Sequence, residues 1–157
     1  MRAVIDTSVL IALGKLGYLE LTGELFDKLV IGESVFEEVR DSEVFAQVSK
    51  LIDAGVAEVS RTTKRELLDV LLSSLGKGEA ETMVLALELG ADVALLDDLK
   101  ARKTARRLKV KVMGTLAVLK ALIGVGLLRE APEDLCEKLI GQGFWVDKEL
   151  CVRVLKG

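Results

Sequence analysis

Short apolar runs alternate along the chain with longer stretches whose apolar positions recur every three or four residues, the signature of buried strands separated by amphipathic helices. RAVI at 2–5 reads as a buried strand that stops at Asp6. SVLIALGKLG and YLELTGELF follow at helical spacing, broken by Gly14 and Gly17. KLVIG at 28–32 is a second apolar run, and ESVFEEVRDSEVFAQVSKLIDAG after it keeps one helical stripe from Val35 to Ile52. AEVS at 57–60 reads as a strand at the sheet's edge, and TKRELLDVLLS at 63–73 as a helix. A second helix over 76–90 opens with glycines and acids and closes at Gly90. DVALL at 92–96 is the clearest strand; it leads through Asp97 and Asp98 into the helical LKARKTARRL. A strand KVKVMG at 109–114, a helix TLAVLKALIGVG and, from Pro132, two short helices around the loop GQGFWVDKE complete the chain.

Strands that alternate with helical segments predict an α/β fold: a single-domain, three-layer α/β/α arrangement with a central parallel sheet. A chain of 157 residues, half of them apolar, buries one core and is too short for two. With one proline, no internal repeat and no low-complexity tract, no domain boundary is marked. In such sheets the ligand site lies at the carboxyl ends of the strands, which makes the residues directly after each strand the ones to inspect.

Composition narrows the chemistry. The chain has no histidine, so imidazole serves neither as general base nor as metal ligand, and a Ser or Cys triad is excluded. Asn is also absent, Gln occurs only at 47 and 142, and 30% of residues are charged, a profile that leans toward a thermophilic source. No run of about 18 uncharged apolar residues occurs and Asp6 interrupts the N-terminal apolar stretch, so a soluble, cytoplasmic protein with no membrane partner is expected. Cys136 and Cys151 are too far apart for a CxxC pair; two buried thiols are the expectation, with a disulfide left open.

The acids fall where the topology would gather them. Asp6 ends the first strand and is followed by Thr7 and Ser8, whose hydroxyls suit a helix cap or the orientation of the carboxylate. Asp97 and Asp98 end the fourth strand in the same way, and adjacent residues point apart. Glu79 and Glu81 open a helix, where negative side chains are favoured by the macrodipole alone; two residues apart, they do not share a face. Glu37 and Glu38 lie within an apolar helical stripe. Each has an ordinary reading as a cap, a turn or a solvated face. Together they suit a hard divalent cation, Mg²⁺ or Mn²⁺, which prefers oxygen ligands and would activate water and offset charge on a phosphate without histidine. From Lys100 to Lys111 the chain carries seven cations and no acid although its net charge is −3, a strip suited to a polyanion.

The segments VIDTSVLI, VFEEV, GKGEAETMVLALE, VALLDDLKARKTAR and VMGTLAVLKALIGVGLL, in this order over roughly the first 128 residues, resemble the PIN domain family of metal-dependent nucleases, which includes VapC-type toxins. The GEAE, LLDD and GTLAVL pieces are most similar to small stand-alone archaeal and bacterial members. The resemblance implies a PIN-like core over about 1–128 with a helical extension over about 129–157. It also implies a catalytic, metal-binding set of Asp6, Glu38, Glu81 and Asp98, with Glu79 and Asp97 as alternates and Ser8 and Thr115 in support. Glu81 stands where many toxins have Asp, which leaves the choice between Glu79 and Glu81 open. The implied activity is endoribonucleolytic cleavage of single-stranded or structured RNA, with Arg102, Lys103 and Arg106 against the backbone. The implied partners are a second copy in a homodimer and, for a toxin, a small antitoxin.

Other readings fit less well. A phosphoacceptor receiver domain needs about twice the 59 residues that follow Asp98. A haloacid dehalogenase-like phosphatase needs an acid where Ser8 stands, and LGKGEAET lacks the P-loop's second half. The rival from a different class is a non-catalytic PIN-like module for binding or assembly, because a fold does not establish an activity.

Overall fold

The structure is a computed structural model that describes residues 1–157. Five parallel strands, β1 (Arg2–Ile5), β2 (Lys28–Gly32), β3 (Ala57–Ser60), β4 (Val93–Leu95) and β5 (Val112–Met113), lie in the order β3-β2-β1-β4-β5. Alternation within a strand sends neighbouring side chains to opposite faces. Ala3, Ile5, Leu29, Ile31, Val93 and Leu95 enter one apolar layer, and Val4, Val30 and Ala94 enter the other. Both faces are therefore covered, as a parallel sheet requires.

Ten helices supply the cover. On the first face lie α1 (Thr7–Leu16), α2 (Leu19–Leu25), α3 (Glu33–Val39), α4 (Phe45–Asp53), α8 (Thr115–Gly124), α9 (Pro132–Gly141) and α10 (Lys148–Lys156). On the second lie α5 (Arg65–Leu72), α6 (Lys77–Leu89) and α7 (Leu99–Arg107). No helix is long and apolar enough to cross a membrane.

Strand and helix order follow the sequence expectation, and four local features depart from it. The stripe from Val35 to Ile52 is two helices: the Ser42 hydroxyl and amide both donate to the Val39 carbonyl, closing α3 before α4 begins. Gly14 does not break α1. It lets the helix pass Val44, whose Cγ1 would stand 2.6 Å from an added Cβ, and the stop comes at Gly17 with φ +82°. The strand expected at 109–114 shrinks to Val112–Met113, because Lys109 takes a positive φ of 61° at the end of α7. Finally, Cys136 and Cys151 are joined in a disulfide across the α9–α10 hairpin, which brings their Cα atoms to 6.0 Å.

The chain runs outward from β1 through β2 to β3, then returns to place β4 on the other side of β1. That reversal opens a crevice between the carboxyl ends of β1 and β4, where the Asp6 amide donates to the Leu95 carbonyl at 3.0 Å.

Candidate active site

Asp6 stands at this crevice, directly after β1, and is 4% exposed. A cleft of about 1270 Å³ opens above it. Its acidic part is lined by Asp6, Glu38, Glu79, Asp97 and Asp98, and Lys77, Arg102 and Lys120 are the cations on its walls. Parallel β1 and β4 deliver Asp6 and Asp97 to the same rim, and α3 and α6 lean over it to bring Glu38 and Glu79.

Each acid is held differently. Asp97 accepts from the Thr115 amide at 2.8 Å and from the Thr115 hydroxyl at 2.6 Å, so the first residue of α8 fixes its orientation. Gly114, just before, leaves space for it: an added Cβ would lie 2.7 Å from Asp97 Oδ1. Asp98 caps α7 through the Ala101 amide at 3.0 Å. Glu79 reaches back from the first turn of α6 to accept from the Gly76 amide at 3.0 Å. Gly78 sits against two carboxylates; a Cβ there would lie 3.0 Å from Glu38 Oε1 and 3.2 Å from Asp6 Oδ1.

Glu81 goes elsewhere. It is 6% exposed, and its carboxylate accepts from the Ser34 amide at 2.8 Å and the Ser34 hydroxyl at 3.3 Å. It thereby satisfies the first turn of α3, which has no side-chain cap of its own, and it occupies the space beside Gly32 that a Cβ would need. Glu79 and Glu81 lie two positions apart on one helix, and only Glu79 lines the acidic cleft.

Electrostatics separate this group from the other acids. Burial, assisted by the charges of Glu79, Glu38 and Asp97 and opposed by the Thr7 amide, raises Asp6 to about 7. Burial, then the charge and hydrogen bond of Asp98 and the charge of Glu38, raises Glu79 against the pull of the Gly76 amide. Burial raises Glu81, and its bonds to Ser34 hold it back. None of the five cleft acids takes part in an ion pair, whereas Glu20, Glu33, Glu37, Glu43, Glu58, Glu130 and Glu133 all do. The Thr7 hydroxyl, also at the cleft, is buried without a hydrogen-bond partner. These are oxygen donors that no ion pair occupies, the donor set that a hard divalent ion prefers. Their oxygens do not close on one point, since no three acids stand near enough together to enclose an ion as placed.

Ser8 is exposed at the cleft and Thr115 is buried behind Asp97. Arg102 borders both the cleft and an adjoining groove of about 410 Å³, where Lys103 and Arg106 continue the cationic wall. The seven cations of 100–111 therefore divide, and these three follow one another away from the acids. Sequence reasoning missed the opposite wall. It comes from Leu116, Ala117 and Lys120 of α8 and from Phe144, Trp145 and Val146 in the α9–α10 loop. The signal available was the aromatic pair in GQGFWVDKE, but nothing in its spacing ties that loop to Asp6 more than 130 residues earlier.

This site can be set beside known proteins. A structure search finds a PilT N-terminus domain protein from the hyperthermophilic archaeon Sulfolobus solfataricus P2, 18% identical, with a TM-score of 0.56 over 83% of this chain and 98% of that one. At that identity the likeness speaks for the fold. A comparison with curated proteins finds no match. A family model described as PIN domain matches residues 2–157, nearly the whole chain and including the helical hairpin that completes the cleft. With the parallel α/β/α fold and the acids at its β1/β4 crevice, this match shows that the chain belongs to the PIN domain family, whose members are generally nucleases.

Proposed function

We propose that this protein is a metal-dependent ribonuclease that hydrolyses phosphodiester bonds in the cleft above Asp6. The observation that carries the reading is the buried Asp6 carboxylate, which faces three further acids and forms no ion pair. A buried charge left unpaired is costly, and a bound divalent ion removes that cost.

Asp6, Glu38, Glu79 and Asp97 would hold Mg²⁺ or Mn²⁺, with Asp98 acting on the set through Glu79. Such an ion, when bound, supplies positive charge against the phosphate and makes water more acidic. The choice between Glu79 and Glu81 goes to Glu79, because Glu79 lines the cleft with Asp6, whereas Glu81 turns to Ser34 and does not line it. Around the acids the chain supplies orientation. Thr115 fixes Asp97, Gly78 keeps the space between Glu38 and Asp6 clear, and Arg102 meets the incoming backbone. Lys103 and Arg106 extend a track for flanking phosphates, where each neutralised phosphate adds salt-dependent affinity. In the reaction, water oxygen bonds to phosphorus, the bond to one ribose oxygen breaks, and that oxygen takes up a proton.

The reading as a non-catalytic module has one observation in its favour, the spread of the carboxylates. Against it stands the stability that an unpaired Asp6 sacrifices, a cost typical of sites kept for chemistry. Cleavage of labelled mixed-sequence RNA with Mn²⁺, Mg²⁺ or EDTA decides between them. Cleavage that requires metal and vanishes in Asp6→Asn supports the nuclease. Failure of the acids to bind metal at millimolar Mn²⁺, together with no cleavage, favours the module.

A further inference from the structure

The part of the cleft wall supplied by α8 and the α9–α10 loop is largely apolar and includes an aromatic ring. Trp145 is the only tryptophan in the chain and is 100% exposed. The loop that carries it is nevertheless tied down. Phe144 donates its amide to the Leu139 carbonyl at 3.0 Å, Phe144 and Val146 pack their side chains against the core, and Asp147 caps α10. The Cys136–Cys151 disulfide closes the hairpin behind it. Flanked by two inward-facing residues, Trp145 is held outward by a fixed backbone.

A single exposed apolar residue is ordinary, but this ring does not stand alone: it lines the cleft together with Leu116, Phe144 and Val146, and apolar surface gathered in a groove marks a binding site. Leu99 is the next most exposed large apolar side chain, at 72%, and it lines the same cleft. The cleft thus offers apolar contact from Trp145 and Leu99, cations from Arg102 and Lys120, and carboxylates on its floor. A nucleotide has the matching halves: a flat apolar base and an anionic phosphate. A protein partner would use the apolar part and leave the acid floor and Arg102 unexplained.

We propose that Trp145 is a stacking platform for an unpaired base next to the scissile phosphate, and so a residue that selects single-stranded over duplex nucleic acid. The proposal rests on the nuclease reading for the position of the phosphate and adds the base that accompanies it. Stacking accepts every base because each has a π-face, so the platform favours strandedness over sequence. Bases inside a duplex are already stacked on both neighbours and cannot offer a face to the ring.

Because the chain has one tryptophan, its emission reports on this ring alone. The test is a titration of Asp6→Asn with an eight-nucleotide single-stranded oligoribonucleotide, followed by intrinsic fluorescence and by anisotropy of an end-labelled copy. The expected result is quenching that saturates together with the anisotropy. Trp145→Ala should bind about tenfold more weakly by anisotropy, with Trp145→Phe recovering most of the loss. An abasic oligomer of equal charge should bind Trp145→Ala and its parent alike, and a duplex should bind without quenching. Binding without quenching, or Trp145→Phe as weak as Trp145→Ala, overturns the platform while leaving the nuclease reading untouched. Emission that shifts with protein concentration in the absence of oligomer also overturns it, because a second copy then covers the ring. Quenching and the Ala/Phe pattern in a protein whose wild type cuts no RNA with metal would sustain the platform and sink the nuclease instead.

Discussion

Asp6 pays for its position. Its folded value of about 7 lies above the ordinary 3.8, so its contribution to stability is fully present below about pH 3.8 and is lost as the pH rises through about 7. Without metal, Asp6→Asn should therefore be more stable than the wild type at pH 8, by roughly 2–4 kcal/mol, and the gap should close toward pH 4. Thermal melts in EDTA across that range check it; a constant gap would mean that the carboxylate is not the source. Added Mn²⁺ should raise the melting temperature of the wild type and leave the mutant nearly unmoved. Removing Glu81 has the opposite effect on stability. Glu81→Ala strands the Ser34 amide and should cost about 1–3 kcal/mol in chemical denaturation, with or without metal. The sequence placed both glutamates at the start of one helix, α6, and both fit the pattern. What separates them is the rotation of α6 against α3, a tertiary fact that a two-residue spacing does not contain.

At the scale of elements, β1, β2 and β4 were legible because each is a continuous apolar run ended by Asp6, Gly32 or the Asp97–Asp98 pair. The acids they carry could be placed on one rim from strand parallelism alone. The split of α3 from α4 was not legible, because a hydroxyl bonding back to Val39 leaves the apolar periodicity intact. The C-terminal hairpin was recognised as two helices, but its place as a cleft wall depends on the packing of α10 against α8 and α9. Its disulfide closes a loop of sequence separation 15, for which chain entropy gives about 3 kcal/mol. Reduction should lower the melting temperature, and it should speed hydrogen exchange in α9 and α10 ahead of the central strands. Uniform exchange across the molecule would show that the hairpin does not open separately. Gly78→Ala, at the start of α6, should depress cleavage more than stability, since the added methyl meets Glu38 and Asp6.

For the molecule as a whole, a net charge of −3 coexists with a local cationic track, so binding to a polyanion depends on where charge sits. Removing Arg102, Lys103 and Arg106 together should weaken single-stranded RNA binding and reduce the slope of log affinity against log salt by about 2. Anisotropy titrations over a range of KCl measure this directly. An unchanged slope would move the backbone track to another face. The acids and the track meet at Arg102, which borders both the cleft and the groove, and that shared border makes one continuous path from flanking phosphates to Asp6.

The most direct test of this account compares Glu79→Gln with Glu81→Gln, two substitutions of identical chemistry two residues apart. Each amide retains an oxygen able to accept the local backbone hydrogen bond, so both proteins should stay folded. Single-turnover cleavage of labelled RNA in Mn²⁺ should fall by at least about 100-fold in Glu79→Gln and stay within about threefold of wild type in Glu81→Gln. Loss in Glu81→Gln with Glu79→Gln unaffected would contradict the assignment of the cleft above Asp6 as the place where the bond is cut.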